Sequence, residues 1–331
     1  MIEQKYSKEK IRDIVHRAYP DSVVLKLIKR SHYHSITYHL SIFDNNANEV
    51  REILLKKYHT KPFSQTSNEY FNQELFYYAT NVADLTAPKP ILIDEQTNSI
   101  LMEFVNGKTV KSILLSDANY QEIFSVIDRC AMLLNSFHKV FKVQDDAKIK
   151  INSPYIDTLS QDNYFSICNA HNNVNLDQII IPFLDYAPWN IINSGKKYYL
   201  IDFPEINCVC TPHIDIARFI FCINLINHTP NVCKLKMRRG WDFFDVCNRF
   251  LKQYLDLQNV ELNDDDIELI NFYYKQYSVF LLKKLMNSLN PIEKLQYNYL
   301  NNILKNDLDG KLLEKNDRSQ VLEFDADGGF K

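Results

Sequence analysis

The sequence predicts an α+β chain of two lobes: a small lobe of five antiparallel strands with one inserted helix, followed by a larger, mainly helical lobe. Three observations carry this expectation. Up to Gly107 the apolar residues come in short runs separated by polar turns, whereas beyond it they recur at spacings of three and four. The exception is the stretch from Gln178 to Phe203, where short strand-like runs interrupt the helical half.

The elements follow in order. "SKEKIRDIVHRAY" sets Ile11, Ile14 and Val15 on one helical face and stops at Pro20. "VVLKLIK" and "SITYHLSIF" read as strands, and the turn "DNNAN" leads into a third strand, "EVREILLKKY", which completes a meander. A helix is expected from about Thr66 to Asn81, and "KPILIDEQTNSILMEFVNG" reads as a hairpin of two apolar runs around a polar turn. The second lobe opens with the periodic "NYQEIFSVIDRCAMLLNSFHKVF" and continues in helices from Trp241 to Leu255 and from Asp264 to Leu289. Within it, "QIIIPF" and "NIINSGKKYYLIDF" read as short strands joined by a loop. The division expected is a strand-rich lobe over 1–106, a helical lobe over 107–312 and a flexible polar tail over 313–331.

Composition narrows the partners. The 331 residues, 46% hydrophobic and 24% charged, suffice for two lobes with a sizeable core. A net charge of -3, with "KMRRG" at Lys236 to Gly240 as a short solvated basic run, gives no reason to expect nucleic acid. The run "FIFCINLI" is far shorter than the ~20 residues that span a bilayer, so no membrane association is expected. Seven irregularly spaced cysteines and the charged start "MIEQKYSKEK" fit a reducing, cytoplasmic setting, and the Cys208–Cys210 spacing does not suit a zinc ribbon. Only 6 glycines are present, against 20 tyrosines and 20 phenylalanines, so glycine-rich loops are nearly absent and aromatic packing is expected.

Chemistry concentrates in "IIPFLDYAPWNIINSGKKYYLIDFPE", which sets Asp185, Asn190 and Asp202 in or beside apolar runs. Each has an ordinary structural use, as a turn cap, a turn filler or a strand end. Their combination suits phosphoryl transfer, which needs a carboxylate facing a hydroxyl and oxygen ligands that hold Mg²⁺ against phosphates.

A β-rich lobe, then D-x-x-x-x-N in a loop, then a strand ending in D-F, resembles the aminoglycoside phosphotransferase and choline kinase family, a branch of the protein-kinase-like fold. The likeness runs from about Val23 to Phe221. It implies ATP as donor, with GTP as the alternative, and Mg²⁺. Asp185 would act as base, and Asn190 and Asp202 as metal ligands. A small-lobe lysine for the phosphates is also implied. In "REILLKKY" alternation puts Leu54 and Lys56 on one face and Ile53, Leu55 and Lys57 on the other; Lys56 is preferred, with Lys57 open and a lysine-protected strand edge as the plain alternative. For the glutamate that holds the lysine, Glu74 is preferred over Glu69. "ILMEFVNG" resembles the adenine-gripping hinge, with Met102 behind the base and the Glu103 carbonyl and Val105 amide bonding it. Asp215 in "HIDIARF" resembles the aspartate that braces the catalytic loop, and His138 the histidine that ends the long helix before it.

The chain departs from the family in two places. "KRSHYHS", between the first two strands, has no glycine, leaving Ser31 or Ser35 as hydroxyl or amide donors. Phe183 and Leu184 stand where relatives carry His-Gly directly before the aspartate. His32, His34 and His39 form a weak metal candidate, because only the first two share a strand face. The resemblance implies a nucleotide site in the lobe over 1–106 and the catalytic loop and acceptor site in the lobe over 107–312. In that family a long stretch such as the one between His138 and Asp185 surrounds a small-molecule hydroxyl acceptor, which implies an amino sugar, aminoglycoside, amino alcohol or sugar. The acidic "NDDDIE" either attracts a cationic acceptor or starts a helix. The chain is expected to be a monomer or homodimer. A Ser/Thr protein kinase and a silent nucleotide-binding module are the alternatives.

Overall fold

The computed structural model describes residues 8–31, 35–81, 83–143, 174–176, 178–204, 209–227 and 243–285, with Lys294 and Asn298. The expected tail over 313–331, the basic run at 236–240, His32, His34, Cys208 and most of the stretch between His138 and Asp185 lie outside these residues. In chain order the elements are α1 (Lys8–Ala18), β1 (Ser22–Ser31), β2 (Ser35–Asp44), β3 (Glu49–Tyr58), α2 (Phe63–Thr80), β4 (Leu85–Thr86), β5 (Pro90–Asp94), β6 (Ser99–Glu103), β7 (Lys108–Thr109), α3 (Val110–Leu114), α4 (Tyr120–Val140), β8 (Ile191–Asn193), β9 (Tyr198–Leu200), α5 (His213–Asn227), α6 (Phe243–Gln258) and α7 (Asp264–Leu285). They form two compact units, one of Met1–Gly107 with Ser194–Ile206 and one of Lys108–Asn193 with Asn207–Lys331.

The first unit is built on an antiparallel sheet of order β1-β2-β3-β6-β5. Period-2 alternation sorts its two faces. Tyr38, Leu40, Ile42, Ile53, Leu55 and Leu101 pack with Ile11, Ile14 and Val15 of α1. On the other side Tyr58, Ile100 and Met102 pack with Tyr70 of α2. Two hairpin turns pass through Asn48 (φ 53) and Asn98 (φ 51), a residue type whose short side chain tolerates the left-handed region.

The segment 194–206 belongs to this unit although its sequence neighbours do not. Leu85 and Thr86 of β4 pair in parallel with Tyr198 and Tyr199 of β9. Lys197 Nζ donates to the Asn81 carbonyl at 3.0 Å, Asn72 donates to the Pro204 carbonyl at 2.9 Å, and the Phe76 and Phe203 rings meet at 5.6 Å. Backbone pairing and aromatic burial thus override chain continuity, and the unit boundary is discontinuous.

In the second unit α4 begins with a reciprocal capping box between Asn119 and Glu122. It packs on α6, while α5 packs on α6 and α7. Ile214, Ile216, Ala217, Phe219, Ile220 and Ile223 of α5 are fully buried, so most of this helix lies in the unit's core. The strand expected at "QIIIPF" does not form. Ile180 makes only single bridges to Lys142 and Cys210, and Pro182, lacking an N–H, cannot extend them into a ladder. Among the described residues no helix is long and apolar enough to cross a membrane.

Candidate active site

Lys56 sits on the central strand β3, paired across to Thr37 and Ile100, on the face opposite Ile53 and Leu55. Its ammonium is buried and donates to Glu69 at 2.8 Å and to Asp202, while lying 5.0 Å from the centre of the Tyr58 ring. Burial pulls the lysine pKa down, but the Asp202 and Glu69 carboxylates outweigh it, and the group stays protonated well above its ordinary range. Glu69 is 2% exposed and also faces Lys61 at 3.5 Å; the Asp202 side chain is half exposed and its backbone is left-handed (φ 58).

The preferred partner, Glu74, is corrected here. It points along its own helix and accepts a hydrogen bond from Tyr70 at 3.3 Å, leaving Lys56 to Glu69. The reason is helical phase: Thr66, Glu69, Gln73, Phe76 and Thr80 recur at three and four and are all buried, whereas Glu74 falls off that face. The signal was present in the sequence as this spacing.

Met102 is buried beside Tyr58, Tyr70 and Ile100, and its sulfur lies 3.7 Å from Gln73 Nε2. Glu103 closes β6 and is tied to Lys89 twice, N–H to carbonyl at 2.9 Å and side-chain oxygen to the Lys89 N–H at 3.1 Å. Val105 follows the strand end, partly exposed.

In the second unit Asp185 and Asn190 share one loop. Asn190 is buried, and its amide nitrogen donates to the Asp185 carbonyl at 2.9 Å and to Asp185 Oδ2 at 3.0 Å, so that the amide oxygen is the atom that could hold a metal ion. Asp185 Oδ1 accepts from Arg218, through Nε at 3.1 Å and through Nη2. Sequence reasoning missed Arg218, because nothing local links it to an aspartate 33 residues earlier.

The loop is anchored from behind. Asp215 accepts the backbone N–H groups of Phe183 and Leu184, each at 2.7 Å, and the His138 ring nitrogen at 3.1 Å. Leu184 adopts a left-handed backbone (φ 65), with its carbonyl held by the Tyr277 hydroxyl at 3.2 Å. Phe183 packs through apolar contact, meeting Phe137 edge-on at 5.2 Å and Tyr186 at 6.0 Å. The Cys222 thiol is fully buried, and burial pushes it up to about 12. Of the acidic run after Asn263, Asp266 is buried and caps its helix, accepting N–H groups from Asn263, Asn175 and Leu176 and bonding His213; it is structural.

A five-stranded antiparallel sheet with a buried Lys–Glu pair, and a helical unit whose loop carries an aspartate and an asparagine, give this chain the kinase-like fold found in aminoglycoside and macrolide phosphotransferases. It is similar to the phosphotransferase APH(2")-IIa in its ternary complex with streptomycin and ATP, at 12% identity over 91% of this chain and 97% of that chain, with a TM-score of 0.52. It is similar also to the macrolide 2'-phosphotransferase MphH from Brachybacterium faecium (9% identity, 87% and 97% covered, TM-score 0.52). A third is the spectinomycin phosphotransferase APH(9)-Ia with ADP and spectinomycin (11%, 91% and 95%, TM-score 0.50). At these identities the likeness is one of fold. No family model matches the chain, and no curated protein matches it in sequence.

Proposed function

We propose that this protein is an ATP- and Mg²⁺-dependent phosphotransferase that moves the γ-phosphate to a hydroxyl of a small molecule, with GTP as the alternative donor. The observation that carries the reading is Lys56. A lysine that merely protects a strand edge is exposed, whereas this one is buried on a central strand and shared between a buried glutamate and a half-exposed aspartate. A cation held in that way is available to nucleotide phosphates at little further desolvation cost. Met102, with the Glu103 carbonyl and the Val105 amide, would receive the base.

Asp185 would accept the proton of the acceptor hydroxyl while the acceptor oxygen bonds to the γ-phosphorus; the bond from that phosphorus to the bridging oxygen breaks and the nucleoside diphosphate leaves with its electron pair. The donors proposed for Mg²⁺ are Asp202 and the Asn190 amide oxygen. Both are hard oxygen ligands, the kind that Mg²⁺ takes beside phosphate and water. When bound, Mg²⁺ neutralises phosphate charge. The acceptor class is proposed as amino sugars, aminoglycosides, amino alcohols or sugars, in keeping with solved neighbours bound to kanamycin, streptomycin or spectinomycin.

The test has two stages. Mg·ATP and Mg·GTP should raise the thermal midpoint of the wild type and not of Lys56→Met, since a ligand bound only by the native state must stabilise it. Labelled γ-phosphate should then pass to a member of a panel of amino sugars, amino alcohols and glycans, and not with Asp185→Asn. Transfer to protein serines alone would replace the reading with a protein kinase, and nucleotide binding without transfer with a silent binder.

A further inference from the structure

We infer that Arg218 is a positioning residue for Asp185, holding its carboxylate in place by two guanidinium N–H groups. The inference rests on the reading of Asp185 as the base. Arg218 lies three residues after Asp215 on α5, so one turn of one helix holds both the backbone before Asp185 and the Asp185 carboxylate. Two guanidinium nitrogens converge on Oδ1, and the amide of Asn190 holds Oδ2.

The guanidinium is itself placed by aromatic faces. Its centre lies 4.9 Å from the Tyr277 ring, 5.8 Å from Phe221 and 5.9 Å from Trp189. Tyr277 also bonds the Leu184 carbonyl, so the ring under Arg218 and the backbone before Asp185 move together. The Asp185 side chain is 48% exposed, and a carboxylate so exposed would otherwise sample several rotamers. Each carboxylate oxygen has two lone-pair directions; the two guanidinium N–H groups take those of Oδ1, so a hydroxyl donor fits on Oδ2 beside the Asn190 amide. The planar fork fixes the direction in which that hydroxyl must approach, which a lysine, a single-point donor, does only in part.

The experiment compares wild type, Arg218→Ala, Arg218→Met, Arg218→Lys, Asp185→Ala and the Asp185→Ala/Arg218→Ala double variant. It measures Mg·ATP hydrolysis in water, transfer to glucosamine and to kanamycin, and Mg·ATP affinity. Loss of positioning should lower kcat by about 100-fold in Arg218→Ala and Arg218→Met with nucleotide affinity kept within about twofold. Arg218→Lys should recover part of the loss, and the double variant should be no slower than Asp185→Ala. Arg218→Ala with kcat within about threefold of wild type, or losses that multiply in the double variant, would overturn the inference while Asp185→Ala stays inactive. Asp185→Ala that works like the wild type, or a wild type with no turnover in any assay, would overturn the reading of the site and this inference with it.

Discussion

His138 and Asp215, 77 residues apart in the chain, meet at 3.1 Å in the interior of the second unit. The other ring nitrogen of His138 lies 2.7 Å from the Tyr254 hydroxyl, and the same Asp215 oxygen accepts the Phe183 N–H. A carboxylate with three donors and no exposure is the anchor of the loop before Asp185. Replacing Asp215 with Ala leaves two backbone N–H groups and the Nε2 of His138 without this partner. Urea denaturation should show a loss of about 3 kcal/mol, since each orphaned buried donor costs about 1–3 kcal/mol. A loss below about 1 kcal/mol would mean that water replaces the carboxylate.

Leu184 stands in a left-handed conformation that costs a non-glycine residue about 1–2 kcal/mol. Its N–H to Asp215 and its carbonyl to Tyr277 over-determine that conformation. Leu184→Gly should therefore be more stable than Leu184→Ala by about 1 kcal/mol, in contrast to the usual order of the two residues. Equal denaturation midpoints for the two variants would show that the backbone relaxes.

The helix phase of α2 separates its two glutamates. Glu69→Gln should weaken Mg·ATP binding by about tenfold, equivalent to about 1.4 kcal/mol, and Glu74→Gln should leave it within about twofold. Isothermal titration decides this. A larger effect at Glu74 would refute the assignment of Glu69 as the partner of Lys56.

Acid should unfold the second unit in steps. Burial lowers the pKa of His213 below 6.5 against the pull of Asp266; for Asp266 burial acts upward, but hydrogen bonds from His213 and from backbone N–H groups outweigh it and hold the carboxyl below 3.8. Both folded values lie below the unfolded ones, so the unfolded chain binds more protons and stability rises with pH. Stability should fall as pH drops below about 6.5, and again below about 4. His213→Gln should flatten the first step in urea midpoints taken between about pH 7.5 and about pH 5; an unchanged slope would place the proton uptake elsewhere.

Much of the fold was legible because alternation and turn chemistry are local. Tyr38, Leu40, Ile42, Ile53 and Leu55 announce one buried sheet face, and Asn48 and Asn98 sit at the turns that need a left-handed residue. The loop order of Asp185, Asn190 and Asp202 was equally readable as a pattern. "QIIIPF" misled because an apolar run signals burial without saying what pairs with it, and Pro182 ends the pairing.

By itself the sequence determined the two kinds of element, their order and the positions of the candidate polar groups, since each depends on residues a few places apart. Tertiary structure decided which of them meet: Lys56 with Glu69 and Asp202, Asp185 with Arg218, Asp215 with the backbone of Phe183 and Leu184. It also drew residues 194–206 into the first unit through β4 and β9. The physical reason is that a partner across 13 to 146 residues is selected by helix phase, strand register and burial together, and of these only the helix phase, as at Glu69, is written in a short-range pattern.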